Sequence, residues 1–339
     1  MGHGGWSDAA YVDRTVDRSS KASSTGKSID DVTFAHTAAV RSGRAAPTAK
    51  RLDPKGMKHR ESRDSKEHPN STPVVVVLDV TGSMARVVRT IQANLPKLMK
   101  LLVDKGYLED PQVLMSAIGD AYCDRAPLQV GQFESDIKID DDITSMYLEG
   151  GGGGQNTESY ELMAYVGARM TSTDAWEKRK KKGYFFFIGD ELPYGEVNRG
   201  QIISLIGDHT NIEKDVPTKQ IFQELAEKYH VFFILPVNAS NGRDNTIMKH
   251  WSNLVGKDHM LTLQDEAGIS ELIGAQIGLV EGTTDTDTVA DDLKAAGADD
   301  KTTAMVLRSV SKAYTGGGSI SKVDPGAAPS SGDPAVERF

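Results

Sequence analysis

The stretch VVVVLDVTGSM, from Val74 to Met84, places a carboxylate, two hydroxyls and a glycine directly after a run of apolar residues. Its four valines and Leu78 follow Pro73 and precede a turn-forming segment, which is typical of a strand buried on both faces of a parallel sheet. Ligands of open α/β sheets bind at the carboxyl ends of the strands. The polar residues from Asp79 onward therefore mark the edge of the sheet where a binding site is expected.

Apolar strand patterns alternate with helical patterns along the rest of the chain. The strand patterns are VLMSAIGDAY, APLQVGQF, KKGYFFFIGDE, VFFILPVN and DHMLTLQD, and the helical patterns include ARVVRTIQANLPKLMKLLVDKG, TESYELMAYVGARM, QIFQELAEKYH and ISELIGAQIGLVEG. This alternation predicts a doubly wound α/β fold, with a mostly parallel central sheet flanked by helices. One domain over residues 73–282 accounts for the whole pattern.

The two flanks differ from this domain in composition. Residues 1–72 contain 13 Lys and Arg against 9 Asp and Glu, a net charge of +4, and show little periodicity. We expect them to form a basic, largely extended or disordered N-terminal arm. Residues 283–339 predict a C-terminal helical segment followed by a Gly/Ser/Pro-rich tail. Inside the domain, the acidic run Asp140–Asp142 predicts a solvated helix start.

Charge and cysteine content narrow the functional classes. The net charge of the chain is −9, so the body is acidic, which argues against nucleic acid as a partner. No apolar run approaches the ~20 residues of a membrane-spanning helix, and we find no signal peptide pattern. We therefore expect a cytoplasmic protein without a membrane partner. The single cysteine, Cys123, excludes an internal disulfide and a cysteine-rich zinc site, and is expected to be a buried or half-buried bystander.

The spacing within DVTGS distinguishes three chemistries that use an aspartate at the end of a strand. An aspartic protease needs Asp-Thr-Gly-Ser without the intervening Val80, and a second such aspartate. A phosphatase of the haloacid dehalogenase type needs Asp-x-Asp, whereas position 81 is a threonine. In an Asp-x-Thr-x-Ser turn, Asp79, Thr81 and Ser83 can direct three oxygens at one point. Oxygen ligands suit a hard cation such as magnesium, calcium or manganese.

DVTGS and two later segments together resemble the von Willebrand factor A (vWA) domain, whose metal-ion-dependent adhesion site uses Asp-x-Ser/Thr-x-Ser after its first strand. EGGGGGQNTESYELMAY is similar to the glycine loop and helix of one branch of this family, and FFFIGDE to the strand whose terminal aspartate completes the site. The resemblance covers about residues 73–282. It implies these metal ligands: Asp79, Thr81, Ser83, Asp190, and Glu158 with Thr157 as its alternative.

Two departures from the family and two simpler interpretations bear on this site. Gln155 to Glu158 stand where the branch has Asp-x-Pro-Glu, and the strand ends in IGDE where relatives often have Thr-Asp-Gly. Taken alone, Asp79 would be expected to cap the following helix. The five glycines from Gly150 to Gly154 could form a phosphate cradle, but Gln155 follows them instead of the Lys-Ser/Thr that completes a P-loop.

In the family that the chain resembles, an acidic side chain of a partner protein completes the metal shell. The resemblance thus implies a metal-dependent adaptor or scaffold that is not an enzyme, with Mg²⁺ as the first expectation and Ca²⁺ or Mn²⁺ as alternatives. Intracellular microbial vWA proteins often act with MoxR-type AAA+ ATPases, so that class is an expected partner. Two other functions stay open: a metal-dependent hydrolase with Glu191 as general base, and a structural component of a larger particle.

Overall fold

The computed structural model describes residues 4–151 and 156–310, with the exception of the Ser83 side chain. Its strands are, in chain order, β1 Arg60–Ser62, β2 Ser71–Asp79, β3 Asp110–Ile118, β4 Leu128–Glu134, β5 Thr157–Glu158, β6 Thr171–Thr173, β7 Gly183–Ile188, β8 Leu192–Pro193, β9 Glu196–Val197, β10 Val216–Pro217, β11 Tyr229–Pro236 and β12 Met260–Leu263.

In the described residues, helices precede and follow the long strands as well as connect them. They are α1 Asp8–Thr25, α2 Ile29–Thr33, α3 Ala35–Arg41, α4 Ala85–Ala93, α5 Leu95–Met99, α6 Lys138–Thr144, α7 Tyr160–Arg169, α8 Asp174–Arg179, α9 Arg199–Leu205, α10 Thr218–Lys228, α11 Asn245–Val255, α12 Ile269–Glu281, α13 Val289–Ala295 and α14 Asp300–Ser309. None of the described helices has both the length and the apolar character needed to cross a bilayer.

The six long strands form one sheet in the order β12-β11-β7-β2-β3-β4. Every neighbouring pair is parallel except β3 and β4, which are antiparallel. All nine residues of β2 are buried, and β2 lies between β7 and β3. The predicted doubly wound, mostly parallel α/β fold is therefore confirmed, with VVVVLD as an interior strand.

The alternating side chains of β2 divide the core into two layers. Val74, Val76 and Leu78 lie in one cluster with residues of α4, α5 and α12. Val75 and Val77 lie in the other, with residues of α7, α10 and α11. A strand that packs against helices on both faces needs apolar residues at every position, because successive side chains point to opposite faces.

Residues 8–41 are helical and docked, so the expectation of an extended or disordered arm is wrong for this part of the chain. Tyr11 and Phe34, on and beside these helices, are buried in the same core layer as Val74. The Tyr11 hydroxyl also donates to the carbonyl of Gln92 at 2.7 Å. Only single apolar residues of the arm, such as Tyr11 and Phe34, are buried against the body, whereas Val12 and Val16 are exposed, so its sequence lacks a strong helical periodicity.

The acidic run on α6 pairs with the basic arm. Asp140 is fully buried and forms ion pairs with Arg14 and Arg18. Asp142 is also buried, and Arg51 Nε lies 2.6 Å from its carboxylate. The prediction of a solvated helix start is therefore wrong for these two residues, because arginines distant in sequence replace their water.

The helices α13 and α14 lie after residue 282, where the sequence predicts a helical segment. Val289, Leu293 and Val306 are fully buried in the core layer that contains α12. The segment thus packs as part of the same body as the sheet. The predicted tail, from residue 311 onward, lies outside the described residues.

Arg18→Gln should lower the free energy of unfolding by about 2 kcal/mol, because it removes a charged partner from the buried Asp140 carboxylate. Urea unfolding measures this change. The control is Arg86→Gln, whose side chain is 57% exposed and lies 3.7 Å from Glu266; its cost should stay below about 0.5 kcal/mol. Equal costs for the two variants would contradict the docking role of Arg18.

Candidate metal centre

Asp79 is fully buried at the carboxyl end of β2, between the ends of β7 and β3. Its Oδ1 accepts hydrogen bonds from the backbone N–H of Thr81 at 2.8 Å and from the Thr81 hydroxyl at 2.7 Å. The Tyr160 hydroxyl donates to Oδ2 at 3.1 Å. Asp79 does not cap α4. The N-cap residue of α4 is Met84, and no side chain forms a capping hydrogen bond there.

The turn after Asp79 approaches the glycine loop. Gly82 has a φ of +43°, a conformation that residues with a Cβ rarely adopt, and its N–H donates to the carbonyl of Gly151 at 3.3 Å. Ser83 lies in the short 3₁₀ turn Gly82–Met84, but its side chain lies outside the described part of the structure. The same applies to residues 152–155 of the loop, including Gln155.

Of the two loop residues predicted as alternative ligands, Glu158 is the more deeply buried. Its side chain is 1% exposed, and its Oε2 has no hydrogen-bond partner among the described residues. Burial raises the pKa of its carboxyl group well above the ordinary range, and the charges of Asp79 and Glu191 raise it further. Thr157 precedes it in the short strand β5, which pairs with β8, and is partly exposed.

Asp190 follows β7 by two residues and reaches the same edge of the sheet. Its side chain is 3% exposed, and its Oδ2 accepts the N–H of Asn241 at 2.9 Å. Burial raises the pKa of Asp190 and of Asp79, and the Asp190 charge raises the latter further. Burial also raises the pKa of Glu191 to about 8, helped by the charges of Asp79 and Asp190.

The loop after β3 adds two carboxylates that the sequence analysis did not single out. Asp120 is 1% exposed and accepts hydrogen bonds from the Tyr194 hydroxyl and the Tyr122 N–H, both at 2.9 Å. Asp124 accepts the N–H of Asp120 at 2.7 Å. A signal was present in the segment GDAYCD, because β3 runs parallel to β2 and its following loop must lie at the same edge.

Cys123 occupies the turn between these two aspartates. It is exposed, so the expectation of a buried or half-buried residue is wrong. Its thiol contacts Asp120 Oδ2 at 3.2 Å. Although the residue is exposed, partial desolvation of its thiol and the neighbouring carboxylates of Asp120 and Asp124 raise the pKa of the thiol, which keeps it protonated and unreactive.

Six carboxylates thus border the carboxyl edge of the sheet, and we call them the edge carboxylates: Asp79, Asp120, Asp124, Glu158, Asp190 and Glu191. Within residues 4–151 and 156–310, none of them forms an ion pair with a lysine, arginine or histidine. Elsewhere buried acids do have such partners, as Asp140 has. Buried carboxyl groups without a basic partner can take a positively charged ligand in place of their protons.

The edge carboxylates alone do not form a complete coordination shell. Across the described residues, no three Asp, Glu, His or Cys side chains converge closely enough to hold a metal ion. The predicted ligand set also relies on the hydroxyls of Thr81 and Ser83, and Thr81 is engaged with Asp79. The edge carboxylates therefore match the chemistry of a hard divalent cation, while the coordination geometry stays a prediction.

No protein-family model matches this chain, and no curated protein matches it in sequence. Among solved structures, the pilus adhesin SpaC from Lactobacillus rhamnosus GG is similar with 11% sequence identity and a TM-score of 0.40, over 71% of this chain and 32% of the adhesin. Proximal thread matrix protein 1 from the mussel byssus is similar with 13% identity and a TM-score of 0.39, over 66% of this chain and 49% of that protein. The chain thus spans about a third and about half of these proteins, respectively, and similarities of this size do not assign it a function.

In the presence of a chelator at pH 7.5, Glu158→Gln should raise the free energy of unfolding by at least about 1 kcal/mol. The raised pKa means that the folded protein keeps a proton that the unfolded chain releases above about pH 4.3, so stability is lost as pH rises from there. The glutamine amide of the variant does not ionise, so this loss of stability with rising pH is absent. Urea unfolding at pH 7.5 and pH 4 measures it, and an equal effect at both values would contradict the buried-carboxyl explanation.

Glu158→Gln and Thr157→Val should separate the two candidate loop ligands. We expect the first change to weaken Mg²⁺ or Mn²⁺ binding at least about tenfold and the second less than about threefold, because a charged oxygen contributes more to a hard cation. Titration calorimetry on the full chain measures both. The reverse order would transfer the ligand role to Thr157.

Proposed function

We propose that this chain is a vWA-like, metal-dependent protein-binding module that acts as an adaptor or scaffold and not as an enzyme. The observation that supports the proposal is the buried Glu158 Oε2, which lacks a hydrogen-bond partner among the described residues, beside the uncompensated charges of Asp79 and Glu191. Buried oxygens of this kind are the donors that hard divalent cations select. The vWA resemblance of DVTGS and of the strand FFFIGDE with its aspartate Asp190 supports the same conclusion.

A bound divalent cation, Mg²⁺ foremost and Ca²⁺ or Mn²⁺ as alternatives, supplies a positive charge that attracts a carboxylate of the partner. Residues of this chain would hold the cation in place and offset part of its charge. Asp79, Glu158 and Asp190 would hold it through charged oxygens and Thr81 through its hydroxyl, and the sequence motif predicts Ser83 as a second hydroxyl ligand. Tyr160 holds Asp79 in place through its 3.1 Å hydrogen bond.

The partner that fits this site is a protein that presents an aspartate or glutamate on a protruding segment. The resemblance to intracellular microbial vWA proteins supports a MoxR-type AAA+ ATPase as one such partner, and a cytoplasmic location. The acidic edge would repel a phosphate backbone, which argues against nucleic acid. The hydrolase alternative depends on Glu191 as the general base.

Asp79→Asn should abolish Mg²⁺-dependent capture of the partner while the fold is kept, because the amide conserves the volume and removes the charge at the centre of the site. The full chain is immobilised, loaded with lysate in MgCl₂ or in EDTA, and the retained proteins are identified by mass spectrometry. Each acid of a captured partner is then replaced by alanine to locate the coordinating residue.

The matched control is Glu213→Gln, which removes one negative charge from an exposed residue that is not one of the edge carboxylates. It should retain the partner at wild-type level. A partner that stays bound in EDTA and to Asp79→Asn would show that binding does not use the metal centre.

A further inference from the structure

A cavity of about 470 Å³ lies where the C-terminal half of α7 meets residues 56–59 of the arm and the turn 207–210 after α9. Small-molecule sites have volumes of roughly 300–1,000 Å³, so this cavity is large enough for an organic ligand. We call it the basic cavity, after four of the side chains that line it: Lys58, His59, Arg169 and His209.

Backbone hydrogen bonds hold the walls of the basic cavity together. His209 Nε2 lies 2.6 Å from the carbonyl oxygen of Met57, which can only accept, so the ring donates through this nitrogen. The N–H of Arg60 donates to the carbonyl of Met170 at 2.9 Å. The arm is thus fastened to the turn after α9 on one side and to the end of α7 on the other. The cavity is formed before any ligand binds, which lowers the entropy that binding costs.

The buried and the exposed parts of the lining differ in character. Tyr165 and Met170 also line the cavity, and their side chains are only 1% and 4% exposed. Lys58 and His59 are exposed. The cavity therefore has an apolar floor and a basic rim, an arrangement that suits a molecule with an apolar body and a polar group at one end.

The charge of the rim is positive although the chain as a whole carries a net charge of −9. No acidic side chain lines the cavity in the described part of the chain. Glu224 offsets the charge of Arg169 through hydrogen bonds of 2.7 and 2.8 Å. Lys58, in contrast, has no ion-pair partner among residues 4–151 and 156–310. The uncompensated charge at the rim is thus that of Lys58, and it favours an anion.

We infer that the basic cavity binds a small organic anion, with its negatively charged group at Lys58 and its apolar body against Tyr165 and Met170. The inference goes beyond the proposed function and does not depend on it. The cavity lies near the opposite end of α7 from Tyr160, the residue that contacts Asp79. Part of its lining also belongs to the arm, outside the residues 73–282 that resemble a vWA domain.

The test uses two dyes with the same aromatic body. Anilinonaphthalene sulfonate carries a negative charge, and phenylnaphthylamine is its analogue without the sulfonate. Fluorescence titration of the full chain in EDTA, which keeps the result independent of the metal centre, should show binding of the sulfonate. Lys58→Gln should weaken sulfonate binding about fivefold and change phenylnaphthylamine binding less than about twofold, because the amide removes only the charge partner of the sulfonate.

Two control variants locate the effect. Lys58→Arg keeps the charge and should bind the sulfonate within about twofold of the wild type. Lys27→Gln removes a charge from an exposed residue outside the cavity lining and should also stay within about twofold. The inference is overturned if the sulfonate does not bind, if Lys58→Gln weakens both dyes equally or neither, or if Lys27→Gln has the same effect as Lys58→Gln.

Discussion

Burial of negative charge at one edge of the sheet is the constraint on which the rest of the site depends. Asp79 lies at the end of an interior strand, where neither face of the sheet admits water. Such a carboxylate costs several kcal/mol unless hydrogen bonds or a cation offset the lost hydration. Thr81 and Tyr160 supply hydrogen bonds to it, but neither carries charge. The two apolar layers of the core must therefore stabilise a fold that includes this unfavourable group.

Tyr160 connects this edge to the core. Its ring makes edge contacts with Phe233 at 5.8 Å and Trp251 at 5.1 Å, while its hydroxyl reaches Asp79. A Cβ at Gly189 would lie 1.8 Å from that hydroxyl, so any other residue there would displace the tyrosine. The glycine of IGDE is thus required by packing against α7, and it allows the aspartate after it to share the edge with Asp79.

The sequence predicts those features that depend on local pattern. Residues Val74 to Asp79 read as an interior strand because every position is apolar up to the carboxylate, and the sheet contains that strand. The segment GDAYCD shows that Asp120 and Asp124 follow a strand, but placing them beside Asp79 also requires that β3 pairs in parallel with β2, which the segment does not specify. Arg18 and Asp140 are 122 positions apart, so no local pattern predicts their ion pair. Composition alone therefore predicts a solvated arm.

The buried acids of α6 have basic partners within the chain, whereas the edge carboxylates have none among the described residues. This difference favours an external cation at the carboxyl edge of the sheet. Arg14, Arg18 and Arg51 pair with the buried aspartates of α6. At α6, arginines of the chain itself thus offset the charge of buried acids and stabilise the fold. At the carboxyl edge, the described residues place hydroxyls and backbone N–H groups next to the acids, and no basic side chain is paired with them. A charge left uncompensated within the fold is available to a ligand, because the ligand then gains the interaction that an internal ion pair would have used.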